Sequence, residues 1–174
     1  PDNAAVLKAL AELQAREQAW DGLGTTLGRL AETVRADPAY RAVLTCAQAR
    51  LREDRMADAE GATALYRQAL DLDGTNWSSI VALKRLYQAQ HRPADLMEVI
   101  EREIALETDL PQKVLLYHRL GRLSAERLGQ ADAAIPLLTK ALELDPQSAL
   151  IATELGRLHE AAGRWDEWVA LWRR

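Results

Sequence analysis

The chain repeats itself, and this limits its possible folds more than any other property. Pro1, Leu10, Trp20, Leu23 and Leu27 recur as Pro146, Leu155, Trp165, Trp168 and Trp172, every pair 145 residues apart. A second phrase, marked by Ala62, Tyr66, Ala69 and Gly74, returns as Ala134, Leu138, Ala141 and Pro146. A degenerate copy carries Leu96, Ile100 and Glu103 and ends at Thr108. The anchors Leu27, Tyr66, Ile100, Leu138 and Trp172 therefore stand 39, 34, 38 and 34 residues apart. Leu83, Leu120 and Leu155 follow the same period, at 37 and 35 residues. Units of this kind bury their apolar faces against neighbours and present an extended surface rather than one enclosed pocket.

Within each unit the apolar spacing is helical. Ile80, Leu83 and Tyr87 fall at i, i+3 and i+7, as do Trp165, Trp168 and Trp172, and period-two alternation is nowhere sustained. Punctuation separates the runs at Asp37-Pro38, Asp73-Gly74, Thr108-Asp109 and Asp145-Pro146. Asp, Thr and Asn there can accept bonds from the free amides of the next helix, and Pro fits a first turn, as Pro93 also does. Each unit thus predicts two antiparallel helices. The expected units are 1–38, 39–75, 76–108, 109–146 and 147–174, as one continuous array.

Leu120-Gly121 followed by Ala134, Leu138, Ala141 and Pro146 resembles the tetratricopeptide repeat, and Leu155-Gly156 and Gly163 open another copy. The resemblance covers essentially the whole chain and implies an all-α, right-handed superhelical solenoid of antiparallel helix pairs, with about ten helices in about five units. Three departures stand out. Lys84 replaces the small residue between paired helices, three residues are inserted before Pro38, and one lies between Gly121 and Gly129. The unit at 39–75 has no settled register.

Composition narrows the function. A net charge of −4 and a pI near 5.5 argue against binding a nucleic-acid backbone. The single cysteine, Cys46, excludes an intrachain disulfide and a multi-cysteine metal site, and reads as a small buried apolar residue. No segment approaches a membrane span, and no signal peptide is visible. The opening Pro-Asp-Asn reads as the closing turn of a preceding repeat, so a fragment of a longer array is expected. The Ala-, Leu- and Arg-rich composition points to a bacterial protein, with a cytoplasmic compartment favoured.

No catalytic constellation emerges. His91, His118 and His159 fall in three units without a carboxylate or Cys at ligand spacing. His159 occupies a packing position and His91 belongs to the turn before Pro93. Gly22, Gly24 and Gly28 follow no strand, so they carry no dinucleotide fingerprint, and close packing explains Gly24 and Gly28. Glu98, Glu101, Glu103 and Glu107 read as a solvated face. Pro136, inside a helix that Asp132 would cap, predicts a slight bend. No enzyme, cofactor or metal is expected.

Two features suggest binding instead. Trp165, Trp168 and Trp172 form an apolar stripe whose plainer explanation is core. If nothing covers them, each offers about 150 to 250 Å² to a partner, and self-association through the C-terminal helix follows, most simply as a two-fold dimer. Otherwise that helix folds back or frays beside Arg173 and Arg174. In the tetratricopeptide-repeat family first helices line a concave groove, which the residue two after the Leu anchor faces. Here that residue is Arg85, Arg122 and Arg157, with His118 and Arg119 close by and Glu12 in the first unit. These arginines are either ordinary solvated charges or a ladder for an acidic peptide. Lys8 is followed by Glu12 rather than Asn, so the family's carboxylate clamp is not recognisable. The resemblance implies a protein- or peptide-binding scaffold. The alternative is RNA binding by a related pentatricopeptide or half-a-tetratricopeptide array, against which Glu12 and the acidic pI speak.

Overall fold

A computed structural model describes residues 3–172, and all regular structure among them is helical. The α-helices are α1 Ala4–Arg16, α2 Trp20–Thr33, α3 Pro38–Met56, α4 Ala59–Leu72, α5 Trp77–Ala89, α6 Pro93–Leu106, α7 Leu110–Arg122, α8 Ala131–Leu144, α9 Ala149–Ala161 and α10 Trp165–Trp172. A π-helical turn, Leu123–Arg127, continues α7. Pro1, Asp2, Arg173 and Arg174 lie outside the described residues. The chain forms two compact units, one ending at Gln90 and one beginning at His91. Connections within each are two to four residues long, which leaves adjoining helices no course but to run antiparallel. The fold class is the all-α helical solenoid.

Five of the ten α-helices among the described residues start on a side-chain cap. Asn3, Asp37, Asp58, Asn76 and Asp109 each accept from an amide two or three residues on, and Pro38, Pro93 and Pro111 occupy first turns. Asp73 and Asp145 differ from expectation. They are C-caps of α4 and α8, and each also accepts from an amide two residues on. The next helices start later, at Asn76 and Ser148. Pro136 lies well inside α8, whose N-cap is Gln130 rather than Asp132. The helix nevertheless runs on to Leu144, so the missing amide does not break it.

The backbone supplies the register that the sequence left open. Gln18, Ala57, His91, Gly129 and Gly163 have φ of 56, 53, 53, 66 and 68°. Each lies nine residues before one of the anchors Leu27, Tyr66, Ile100, Leu138 and Trp172. A left-handed residue thus turns the chain between the helices of every repeat.

The variation in length lies in the first helices rather than in a loop before Pro38. From N-cap to left-handed residue the first, third and fifth repeats use 15 residues (Asn3 to Gln18, Asn76 to His91, Ser148 to Gly163). The second and fourth use 20 (Asp37 to Ala57, Asp109 to Gly129). Four of the extra residues add close to one turn at the start of α3 and α7, which keeps the apolar face in place. The fifth has to be taken up by a wider turn. In the fourth repeat that is the π turn, and in the second Ala57 N–H donates to Arg52 O, five residues back.

The cores follow this register. In the first unit Leu7, Leu30, Ala31 and Leu44 cluster, joined by Leu27 and Tyr40. In the second, Ile135, Leu138, Leu142, Ile151 and Leu155 do so, with Leu171 packed against them. Leu83, Tyr87, Leu120, Leu138 and Leu155 are buried as expected. Trp172 is not: 54% of it is exposed, and its ring lies on Gly156, with no helix over its outer edge among the described residues. Glu103 also departs from expectation. It falls seven residues after Leu96, on the inward face of α6 beside Ile100 and Ile104, and is buried rather than solvated. Gly28 admits Gln48 of α3, whose Nε2 donates to Gly24 O at 2.7 Å, while Gly24 faces Leu51.

Candidate functional site

The small residue that follows the Leu anchor defines the equivalent positions of successive first helices. Gly121 precedes Ala134 and Leu138 by 13 and 17 residues, and Ala49 precedes Ala62 and Tyr66 by the same distances. Gln48 therefore stands at the Leu position of the second repeat, and the residue two beyond it is Arg50. Sequence reading missed Arg50 because α3 replaces Leu-Gly with Gln-Ala. The matching offsets to Ala62 and Tyr66 were the available signal. With Arg85, Arg122 and Arg157, four successive first helices carry arginine at this position, after Glu12 in α1.

In the first unit, Arg85 pairs with Glu53 of α3, whose other oxygen accepts from the Tyr66 hydroxyl at 3.2 Å. The hydrogen bond to Glu53 raises the Arg85 pKa beyond its ordinary value. Burial, with the Glu53 charge next, pushes the Tyr66 phenol up to about 12. Arg50 is exposed and makes no ion pair among the described residues. Two adjoining clefts meet here. One of about 480 Å³ is lined by Leu23, Leu27, Val43, Cys46 and Ala47. The other, of about 340 Å³, is lined by Glu53, Tyr66, Trp77, Val81 and Arg85. Arg50, Asp54 and Ser78 line both.

In the second unit a carboxylate absent from the sequence reading joins the predicted residues. Nε2 of His118 lies 2.6 Å from Oε2 of Glu154 on α9, where the imidazole N–H donates. Arg122 Nε lies 3.9 Å from the other oxygen of Glu154. Arg122 also forks onto Glu126 at 2.9 and 3.2 Å, and that hydrogen bonding raises its pKa. Glu154 thus brings His118 and Arg122 together across two first helices. Arg119 is half-buried outside this cluster, and Arg157 is exposed without an ion pair among the described residues.

The tryptophans of α10 form a tilted pair, Trp168 and Trp172, with ring centroids 6.3 Å apart. Trp165 and Trp172 are more than half exposed. His159 is buried and His91 sits in its turn. Among the described residues no group of three or more His, Cys, Asp or Glu gathers as metal ligands, and no helix is long and apolar enough to cross a membrane.

Paired helices joined by a left-handed turn, with a recurrent small residue at their closest approach, define the chain as a helical-repeat protein. The family model described as Tetratricopeptide repeat matches residues 126–167. Solved structures with a similar fold include the MamA RS-1 ArsTM double mutant, at 18% identity and a TM-score of 0.52 over 99% of this chain and 96% of that one. MamA AMB-1 shares 17% identity with a TM-score of 0.52, over 98% of this chain and 88% of that one. MamA 41-end from Desulfovibrio magneticus RS-1 shares 18% with a TM-score of 0.50, over 99% and 97%. At such identities the likeness is one of fold. No curated protein matches the chain in sequence.

Proposed function

We propose that the chain is a protein- or peptide-binding scaffold module that holds an extended acidic segment on the face of its first helices. The supporting observation is the shared position of Arg50 and Arg85 in one unit and of Arg122 and Arg157 in the other. Exposed Val43 and Val81, or Leu115 and Leu150, lie on the same helices. A guanidinium fork suits carboxylates, and apolar side chains beside it give the contact area that charge alone lacks. Arg119, one residue from His118, adds to the positive charge of α7.

Salt titration tests this reading. A labelled acidic peptide should bind with a shallow dependence on ionic strength, whereas single-stranded RNA should bind weakly or not at all. Steep salt-dependent binding of RNA, with the slope that release of many counterions produces, would replace the peptide reading. The exposed edges of Trp165 and Trp172 support a second contact, self-association through α10. Sedimentation across a concentration series tests it, and association that survives Trp168→Glu with Trp172→Glu rules it out.

A further inference from the structure

We infer that the cleft between α3 and α5 selects a peptide carrying an aliphatic or aromatic side chain immediately beside a carboxylate. The inference rests on the peptide-binding reading and adds to it a location and a ligand chemistry. The larger cleft is walled by Leu23, Leu27, Val43 and Ala47, so it offers water few hydrogen bonds and gains by taking an apolar group. Its volume of about 480 Å³ falls within the usual range for ligand sites. The smaller cleft is polar, with half-exposed Trp77 and Val81 on its wall. Because Arg50 lines both, the two chemistries adjoin, and the group next to the apolar anchor meets a guanidinium.

Charge decides which group that is. The two clefts contain three arginines, Arg50, Arg55 and Arg85, against two carboxylates, Glu53 and Asp54. Glu53 has both oxygens engaged, by Arg85 and by the Tyr66 hydroxyl. Arg55 stacks over Trp20, 5.1 Å from the ring centroid. Arg50 alone of the three has neither an ion pair nor an aromatic partner among the described residues, and its planar fork fits a carboxylate in two-pronged fashion. Asn76 and Ser78, at the first turn of α5, bring the positive end of that helix to the same place. A nucleic-acid strand would need a run of such cations; one beside an apolar recess suits an acidic peptide.

Random peptides displayed on phage, selected against the immobilised intact chain, provide the probe. The expected result is enrichment of sequences pairing an apolar residue with Asp, Glu or a free C-terminus. Binding of the enriched peptides should weaken about tenfold or more in Arg50→Ala, the usual loss for a charge-assisted hydrogen bond, and in Val43→Asp. Both side chains are exposed, and unchanged thermal melting shows that the variants fold. Arg50→Glu should in turn prefer peptides whose acid is replaced by Lys. Acidic enriched peptides indifferent to Arg50→Ala and Val43→Asp overturn this inference and leave the scaffold reading standing, whereas enriched peptides without an acid overturn the acidic-segment reading with it. No enrichment at all, or displacement by single-stranded RNA, overturns both.

Discussion

Gly121 and Leu138 form a contact that can be tested by changing both partners. A Cβ built on Gly121 would lie 2.8 Å from both Cγ and Cδ2 of Leu138, while the next neighbour, Ala134 O, is 3.5 Å away. Gly121→Ala alone therefore overpacks against one side chain, at about 1–3 kcal/mol, partly offset by about 1 kcal/mol of helix propensity. Leu138, 1% exposed, should cost about 2–5 kcal/mol when truncated to Ala. That truncation removes both clashing carbons. In its background the methyl introduced by Gly121→Ala enters the vacated space, recovers about 0.8 kcal/mol of burial and keeps its propensity gain. Gly121→Ala should thus change sign, from destabilising or neutral to stabilising by about 1–2 kcal/mol, a coupling of about 2–4 kcal/mol. Urea unfolding of the four proteins, followed by helical circular dichroism with constant m-values, measures it. Additivity within about 0.5 kcal/mol would refute the packing argument.

Three further outcomes are expected. Ala57→Gly and His91→Gly relieve left-handed backbone and should each stabilise by up to about 1 kcal/mol, whereas Gly163→Ala, which has open space but the same φ, should destabilise by about as much; melting curves decide. The Asp58 pKa is lowered from 3.8, first by the Gly61 amide and then by Arg52, so its contribution is present above that value and lost as pH falls through the folded pKa; Asp58→Asn should flatten the loss of stability below about pH 4. The Tyr66 pKa is raised from 10.0 to about 12, so its neutral form contributes fully below pH 10 and the contribution is lost as pH rises to 12. Tyr66→Phe should remove that alkaline step in a denaturation series.

The helical class, the repeat period and most of the buried anchors were legible in the sequence because each rests on local rules. Apolar spacing of i, i+3 and i+7 around Leu83 and Trp168 needs only helix geometry, and caps such as Asp37 and Asp109 satisfy amides a few residues away. Three things were settled only in the folded chain. Left-handed Gln18, Ala57 and His91 do not resemble the glycines at equivalent positions, because tertiary packing holds a strained backbone that local preference would not choose. The offsets of Ala49 to Ala62 and Tyr66 already hinted that Arg50 matches Arg85, but how α3 accommodates five extra residues, by an added turn and a wider end, is a property of the fold. Glu154 meets His118 from 36 residues away, a distance over which no local pattern specifies a partner. Burial of Glu103 and exposure of Trp172 have the same origin: a side chain's environment depends on which neighbouring helix covers its face, and that is set by packing between elements rather than by periodicity within one.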